Sequence, residues 1–185
     1  MRIFGAVALS LLLSACSTPT AKPLVQLYPN ANVESSSIGN QQLVYVSATD
    51  ARDLSSYSTA NINPAQNVPK ILTREISQGL KNQGFKTVTT PAGKEDQISI
   101  KLVTLDYRAL SGMASNQTET SAKAEVTATK PSGTVYKKVY TASATNQSVL
   151  GISSQTPSSQ VNQALDKLLN NILNDSSLTQ FLVKN

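Results

Sequence analysis

One thiol stands out in the chemical inventory of this 185-residue chain, which has a single Cys, no His and no Trp. With no imidazole present, His-centred acid–base catalysis and the common zinc sites are excluded by inventory. The thiol belongs to Cys16 and closes the stretch Leu13-Ser14-Ala15-Cys16. Sulfur is the natural nucleophile for forming a stable thioether, because its thiolate attacks carbon readily. Met1-Arg2 forms a positive head, residues 3–13 an uncharged Leu- and Ala-rich run, and small Ser14 and Ala15 precede the Cys. A charged head, an apolar stretch of about 7–15 residues and small residues before a cut describe a secretory signal. The run falls well short of the roughly 20 apolar residues of a spanning helix. Residues 1–15 are therefore expected to target the chain and then be removed.

The remaining candidates are weaker. Asp50 and Arg52 sit two apart at the end of an apolar run. On a strand such residues share a face, so they are candidates for pairing with each other or for jointly holding a polar ligand. Glu95-Asp96 reads as a solvated loop end, since acid–base work would need a cleft that raises a carboxyl pKa. No Ser-x-x-Lys pattern in a Gly-flanked helical setting singles out a Ser–Lys dyad. Gly151 lacks the Gly-rich Lys motif of a phosphate loop. Tyr107, Tyr136 and Tyr140 read as half-buried sheet residues. The net charge of +5 is scattered, with Lys137-Lys138 its densest point. A nucleic-acid binder gathers such charge into a stripe, so no nucleic-acid partner is expected. No catalytic constellation, metal site or cofactor site emerges, and the chain reads as a non-enzyme.

Leu13-Ser14-Ala15-Cys16 resembles the lipobox of bacterial lipoproteins. That resemblance implies a diacylglyceryl thioether on Cys16, cleavage between Ala15 and Cys16, and a further acyl chain, palmitate for example, on the freed amine. Several acyl chains anchor stably where one does not, at about 0.8 kcal/mol per buried CH₂. Ser17, where Asp would signal retention, implies sorting to the outer membrane of a Gram-negative bacterium with the domain facing the periplasm. A lipidated Cys16 leaves no thiol for a disulfide, so the core must suffice alone.

Behind this anchor, residues 16–41 read as the lipidated Cys and a flexible tether, with Pro19, Pro23 and Pro29 opposing regular pairing. Leu24, Val25, Leu27 and Tyr28 offer an alternative, an edge segment lying along the domain. Residues 42–185 form a single domain. Residues 42–49 alternate as a strand and residues 54–66 are a polar loop. A helix begins near Pro69, carries Ile71, Leu72, Ile76 and Leu80 on one stripe, and stops at Gly84 with Phe85 behind it. Strands follow at 85–90 and 97–110, the latter with Ile98, Ile100 and Leu102 on one face and Lys101, Val103 and Leu105 on the other. Residues 117–129 and 134–145 make a hairpin through Lys130-Pro131-Ser132-Gly133. A four-residue loop would place Glu125 opposite Lys138. A second helix spans about 156–174 with Val161, Ala164, Leu165, Leu168, Leu169 and Ile172 as its stripe, and a short helical turn over 178–182 packs by Phe181. The expected fold is α+β: an antiparallel-rich sheet of about five strands with two amphipathic helices on one face, in the order β-α-β-β-β-β-α.

The strand ending Asp50-x-Arg52, the helix closing Asn82-Gln83-Gly84-Phe85, the strand at 97–112, the block Ala122–Lys138 and the ending at 162–185 resemble the YajG family of outer-membrane lipoproteins. The resemblance spans the domain from about residue 43. It implies a lipid-anchored periplasmic module without an assigned reaction. The expected function is a binding or accessory module for another envelope component, protein or glycan. The alternative is a carrier of lipid or another small apolar ligand in a pocket between helices and sheet.

Overall fold

The alternating and helical periodicities come out as an α+β fold in a computed structural model, which describes residues 22–55, 61–111, 115–149 and 156–184. The elements are β1 (Leu24–Val25), β2 (Leu43–Asp50), β3 (Asn63–Pro64), α1 (Val68–Asn82), β4 (Lys86–Val88), β5 (Asp96–Ser111), β6 (Ser115–Thr129), β7 (Val135–Val149), α2 (Pro157–Leu173) and α3 (Ser176–Val183). The main sheet has the order β4-β2-β5-β6-β7. Strand β2 runs parallel to both β4 and β5, and the long strands β5, β6 and β7 pair antiparallel. The sheet is thus mixed, with antiparallel pairing over its longer part.

Helix α1 starts because the Asn67 side chain accepts the Lys70 N–H at 2.9 Å, with Pro69 in the first turn where no N–H is needed. It ends as a Schellman motif: Phe85 N–H donates to Leu80 C=O and Gly84 N–H to Lys81 C=O, with Gly84 at φ +86°. Thr156 caps α2 by accepting the Ser159 N–H at 3.2 Å. The stripes of both helices meet one face of the sheet. Val44, Val46, Ile98, Ile100, Leu102 and Val126 pack there with Leu72, Ile76, Leu165, Leu168 and Ile172, all in one buried cluster. Each such side chain contributes about 1.5–3 kcal/mol on burial. The inner row of β6 is Ala122, Ala124, Val126 and Ala128, whose small size lets α2 lie close.

Three expectations are corrected. The segment expected as a flexible tether to residue 41 instead docks on the domain from β1 onward, as in the alternative that lays Leu24, Val25, Leu27 and Tyr28 along the domain. Val25, Leu27 and Val33 are buried, and the chain bonds along α2 through Gln26 N–H to Ser158 Oγ, Tyr28 N–H to Asn162 Oδ1 and Asn30 N–H to Asp166 Oδ1. The prolines exclude a ladder but not side-chain acceptors. Glu125 faces Val139, not Lys138, because the hairpin closes with Thr129 opposite Val135. Gly133 at φ +88° donates to Lys130 C=O and the Lys130 N–H donates to Thr134 C=O, which adds one residue to the loop. That slip turns Lys138 to the helix side of the sheet. Leu105 lies in the core beside Leu102, because a bulge between Leu102 and Thr104 shifts the phase of β5. The expected C-terminal helical turn is present as α3, which buries Leu178 and Leu182 and packs a half-buried Phe181 against Tyr136.

Candidate binding surface

With both helices on one side, the other side of the main sheet carries the side chains that have the opposite phase. Register places them in rows: Ser47, Ser99, Thr127 and Lys137 across one, Thr49, Lys101, Glu125 and Val139 across the next. Lys101, Glu125, Lys137 and Val139 are exposed, while Ser47, Ser99 and Thr127 are half-buried by their neighbours. Val135 and Val139, on β7, are 48% and 51% exposed. Tyr45 is the aromatic residue of this face among the described residues.

On the helix side the core is closed. Leu72, Ile76, Ile98, Ile100, Leu165 and Leu168 are under 2% exposed and fill the space between helices and sheet. Near the sheet edge, β4 stops pairing at Val88 with Tyr45, so β2 opens beyond it into a cleft of about 590 Å³ lined in part by Val46, Ala48, Lys70, Arg74 and Lys81. Arg74 is engaged by Glu75 at 2.7 Å.

Of the residues singled out by type, Asp50 and Arg52 come together. Arg52 Nε donates to Asp50 Oδ1 at 2.8 Å and Nη2 to Oδ2 at 2.7 Å, a bidentate pair with the Arg52 side chain 3% exposed. The Arg52 hydrogen bond, outweighing partial burial, holds the Asp50 carboxyl below its usual range. Cys16, Ala15 and the rest of the anchor signal lie outside the described residues, as does Gly151.

Two clusters escaped the sequence reading. Glu95-Asp96 is not a solvated loop end: each residue is 3% exposed. The Glu95 carboxylate accepts the N–H groups of Ala92, Gly93 and Lys94 at 2.9–3.1 Å and staples the turn before β5. Burial pushes Glu95 up, and the backbone N–H groups outweigh it to hold the carboxyl below its usual range. Asp96 Oδ2 accepts from Lys130 Nζ and Gln42 Nε2, both at 2.9 Å. Lys130 Nζ also donates to Leu182 C=O at 2.7 Å, tying the β6–β7 hairpin to α3. Burial dominates there and pushes Asp96 up.

The second cluster is centred on Asp175, between α2 and α3. Its Oδ2 accepts from Tyr140 OH at 2.5 Å, Lys138 Nζ at 2.8 Å and Tyr136 OH at 2.9 Å, while Oδ1 accepts the Ser177 N–H at 2.8 Å as the α3 cap. Burial pushes this carboxyl up, but Lys138, Tyr140, the Ser177 N–H and Tyr136 together drive it far below the usual range. Burial and the bond to Asp175 push the Tyr140 phenol far up. The signal for this cluster was the every-second-residue spacing of Tyr136, Lys138 and Tyr140, legible only once the register is known. In both clusters the charges are consumed by partners within the fold, which suits locking elements together rather than moving protons. Among the described residues, no three or more of His, Cys, Asp and Glu come together in a way that could hold a metal ion.

A family model described as "uncharacterized lipoprotein" matches residues 29–183. No curated protein matches the chain. A Xanthomonas campestris protein of known structure is 14% identical, with 87% of this chain and 93% of that one covered at a TM-score of 0.50, and shares its fold. A hypothetical protein from Chlamydia trachomatis is 11% identical, over 78% of this chain and 99% of that one, at a TM-score of 0.48. The rare lipoprotein B from Shewanella oneidensis is 13% identical, over 78% of this chain and 100% of that one, at a TM-score of 0.46. No described helix is long and apolar enough to cross a membrane.

Proposed function

This chain belongs to the Lipoprotein_16 family, the uncharacterized lipoproteins, and on that premise we propose an outer-membrane, lipid-anchored docking module of the periplasm. Its partner is an envelope protein received on the uncovered face of the sheet, and within the family the motifs at 97–112 and 162–185 support a YajG-type member. The observation that carries this is the contrast between a filled helix–sheet interior and an opposite face that no described element covers. That face mixes Lys101, Glu125 and Lys137 with exposed Val135 and Val139, giving a partner both apolar area and charges that set register. A single tyrosine is a poor platform for stacking sugars, which favours protein over glycan. A filled interior likewise disfavours a lipid carrier, which needs an apolar cavity with a few convergent polar groups. Anchoring supports the mechanism. Confinement by a short linker raises the effective concentration of the docking face to about the millimolar range, so weak contacts suffice.

The test is in-cell photocrosslinking from Thr127 and Val139, with Glu34, exposed away from this face, as the control. One protein captured from both face positions, absent from the control and lost with Lys137→Glu, supports docking. Saccharide adducts, co-purifying lipid or no capture from either position would overturn it.

A further inference from the structure

We propose that one end of the domain, where Leu24, Leu54 and Leu110 are exposed, rests against the bilayer as an apolar contact. The proposal rests on the reading of Cys16 as a lipid anchor. The chain from Cys16 to Lys22, drawn out at about 3.3–3.6 Å per residue, reaches roughly 20 Å. Several ångströms of that reach are spent in the headgroup layer, which is about 5–8 Å deep on each side. A domain of this size is roughly 30–40 Å across by its expected radius of gyration. The surface around Lys22 must then face the leaflet, because the tether is shorter than the body it carries.

Three sets of contacts identify that surface. Residues 26–30 run along α2 from its first turn, bonding Ser158, then Asn162, then Asp166, so Leu24 and Lys22 project past the N-terminus of α2. Helix α2 runs antiparallel to β7, with Lys167 Nζ on Ser143 C=O and Asn171 Nδ2 on Thr141 C=O. The start of α2 therefore lies at the end of β7 where Gln147, Gln117 and Leu110 share a row. Lys22 Nζ donates to Leu54 C=O at 3.3 Å, which brings Leu54 to the same end. Leu24, Leu54 and Leu110 are 63%, 62% and 52% exposed. Of the nearby cations, Arg52 is paired with Asp50 and Arg108 with Asp106, while Lys22 donates to the neutral Leu54 C=O. With one unpaired lysine against three exposed leucines among the described residues, the contact is mainly apolar in kind and depends only weakly on salt, unlike a polybasic surface drawn to anionic lipid. This pose leaves the uncovered sheet face upright and accessible from the side.

The test uses the full mature lipoprotein in vesicles of phosphatidylethanolamine and phosphatidylglycerol. A nitroxide is placed on a Cys introduced at Leu54, at Leu110 or at Val139, and collision with oxygen and with a neutral nickel chelate is read. We expect labels at Leu54 and Leu110 to show at least a threefold higher ratio of oxygen to nickel collision than the label at Val139, retained at high salt. Equal ratios at all three sites, in protein whose Cys16 peptide carries acyl mass, would overturn the contact and leave the anchor standing. Protein lacking acyl mass on Cys16 would overturn the anchor and this orientation together.

Discussion

Replacing Asp175 by Asn isolates the charge that joins α2, α3 and β7. Asn is as good an N-cap as Asp and nearly the same size, so the cap to the Ser177 N–H and the packing survive. The loss falls on Oδ2, which accepts from two phenols and a lysine. A hydrogen bond to a charged group contributes about 1.5–3 kcal/mol when partly buried. Tyr136 and Tyr140 lie 3.1 Å apart through their hydroxyls and recover one neutral bond between them. The solvent-facing lysine returns to water. The expected net cost is about 2–3 kcal/mol, or roughly 5–10 °C in Tm for a domain of this size. The pH dependence gives an independent check. The folded Asp175 carboxyl lies below its unfolded value, so its contribution is present in full above about pH 5 and is lost as pH falls toward the folded value. The stability gap between wild type and Asp175→Asn should therefore narrow below about pH 4, by at most about 1.4 kcal/mol per pH unit. Urea unfolding followed by circular dichroism at pH 7 and pH 3 measures both. A gap under about 0.5 kcal/mol at pH 7, or one that widens at pH 3, would refute the assignment of Asp175 as an ionised lock.

Other perturbations follow from the same geometry. Lys130→Met strands the buried Asp96 carboxylate with Gln42 alone and should cost about 3 kcal/mol in urea unfolding. Burial already raises Asp96, so protonation becomes the cheaper state and this deficit should shrink as pH falls from 7 to 5, whereas a constant deficit would contradict the burial argument. Gly84→Ala should cost about 2 kcal/mol or more, since φ is +86° and a Cβ would sit 2.9 Å from Ser37 Cα. A neutral result would mean that the 36–42 segment is not seated on the end of α1. Gly79→Ala should destabilise by about 1 kcal/mol despite its better helix propensity, because its Cβ would meet Leu173 Cδ1 at 2.3 Å where α1 crosses α2. A rise in Tm for that variant would mean that Leu173 has room to turn away.

What the sequence made legible were features governed by local rules. The stripe Leu72, Ile76 and Leu80 with Asn67 before and Gly84 after determines α1, and strict alternation in Ala122, Ala124, Val126 and Ala128 determines β6. What escaped were features that depend on a single inserted residue. The bulge after Leu102 returns Leu105 to the core, and the extra residue at Gly133 moves Lys138 from Glu125 to Asp175. Both are shifts of one in a pattern of period two, so each reverses the side on which every later residue falls. The docking of residues 24–30 was legible only as an alternative, for a different reason. Their backbone N–H groups bond to side chains of α2 more than 130 positions away, and no local composition signals such acceptors. Asp50 and Arg52 were legible as neighbours, though the burial of Arg52 follows only from the tertiary fold.

Orientation, tether reach and recruitment all depend on Cys16 carrying lipid, and intact mass of the mature N-terminal peptide, read alongside membrane fractionation of wild type and Cys16→Ala, tests that most directly. The expected result is a mature chain that starts at Cys16, bears diacylglyceryl and a further acyl chain, and sediments with the outer membrane, while Cys16→Ala loses both the acyl mass and the membrane retention. An unmodified Cys16, or a Cys16→Ala protein retained in the outer membrane as firmly as wild type, would contradict it.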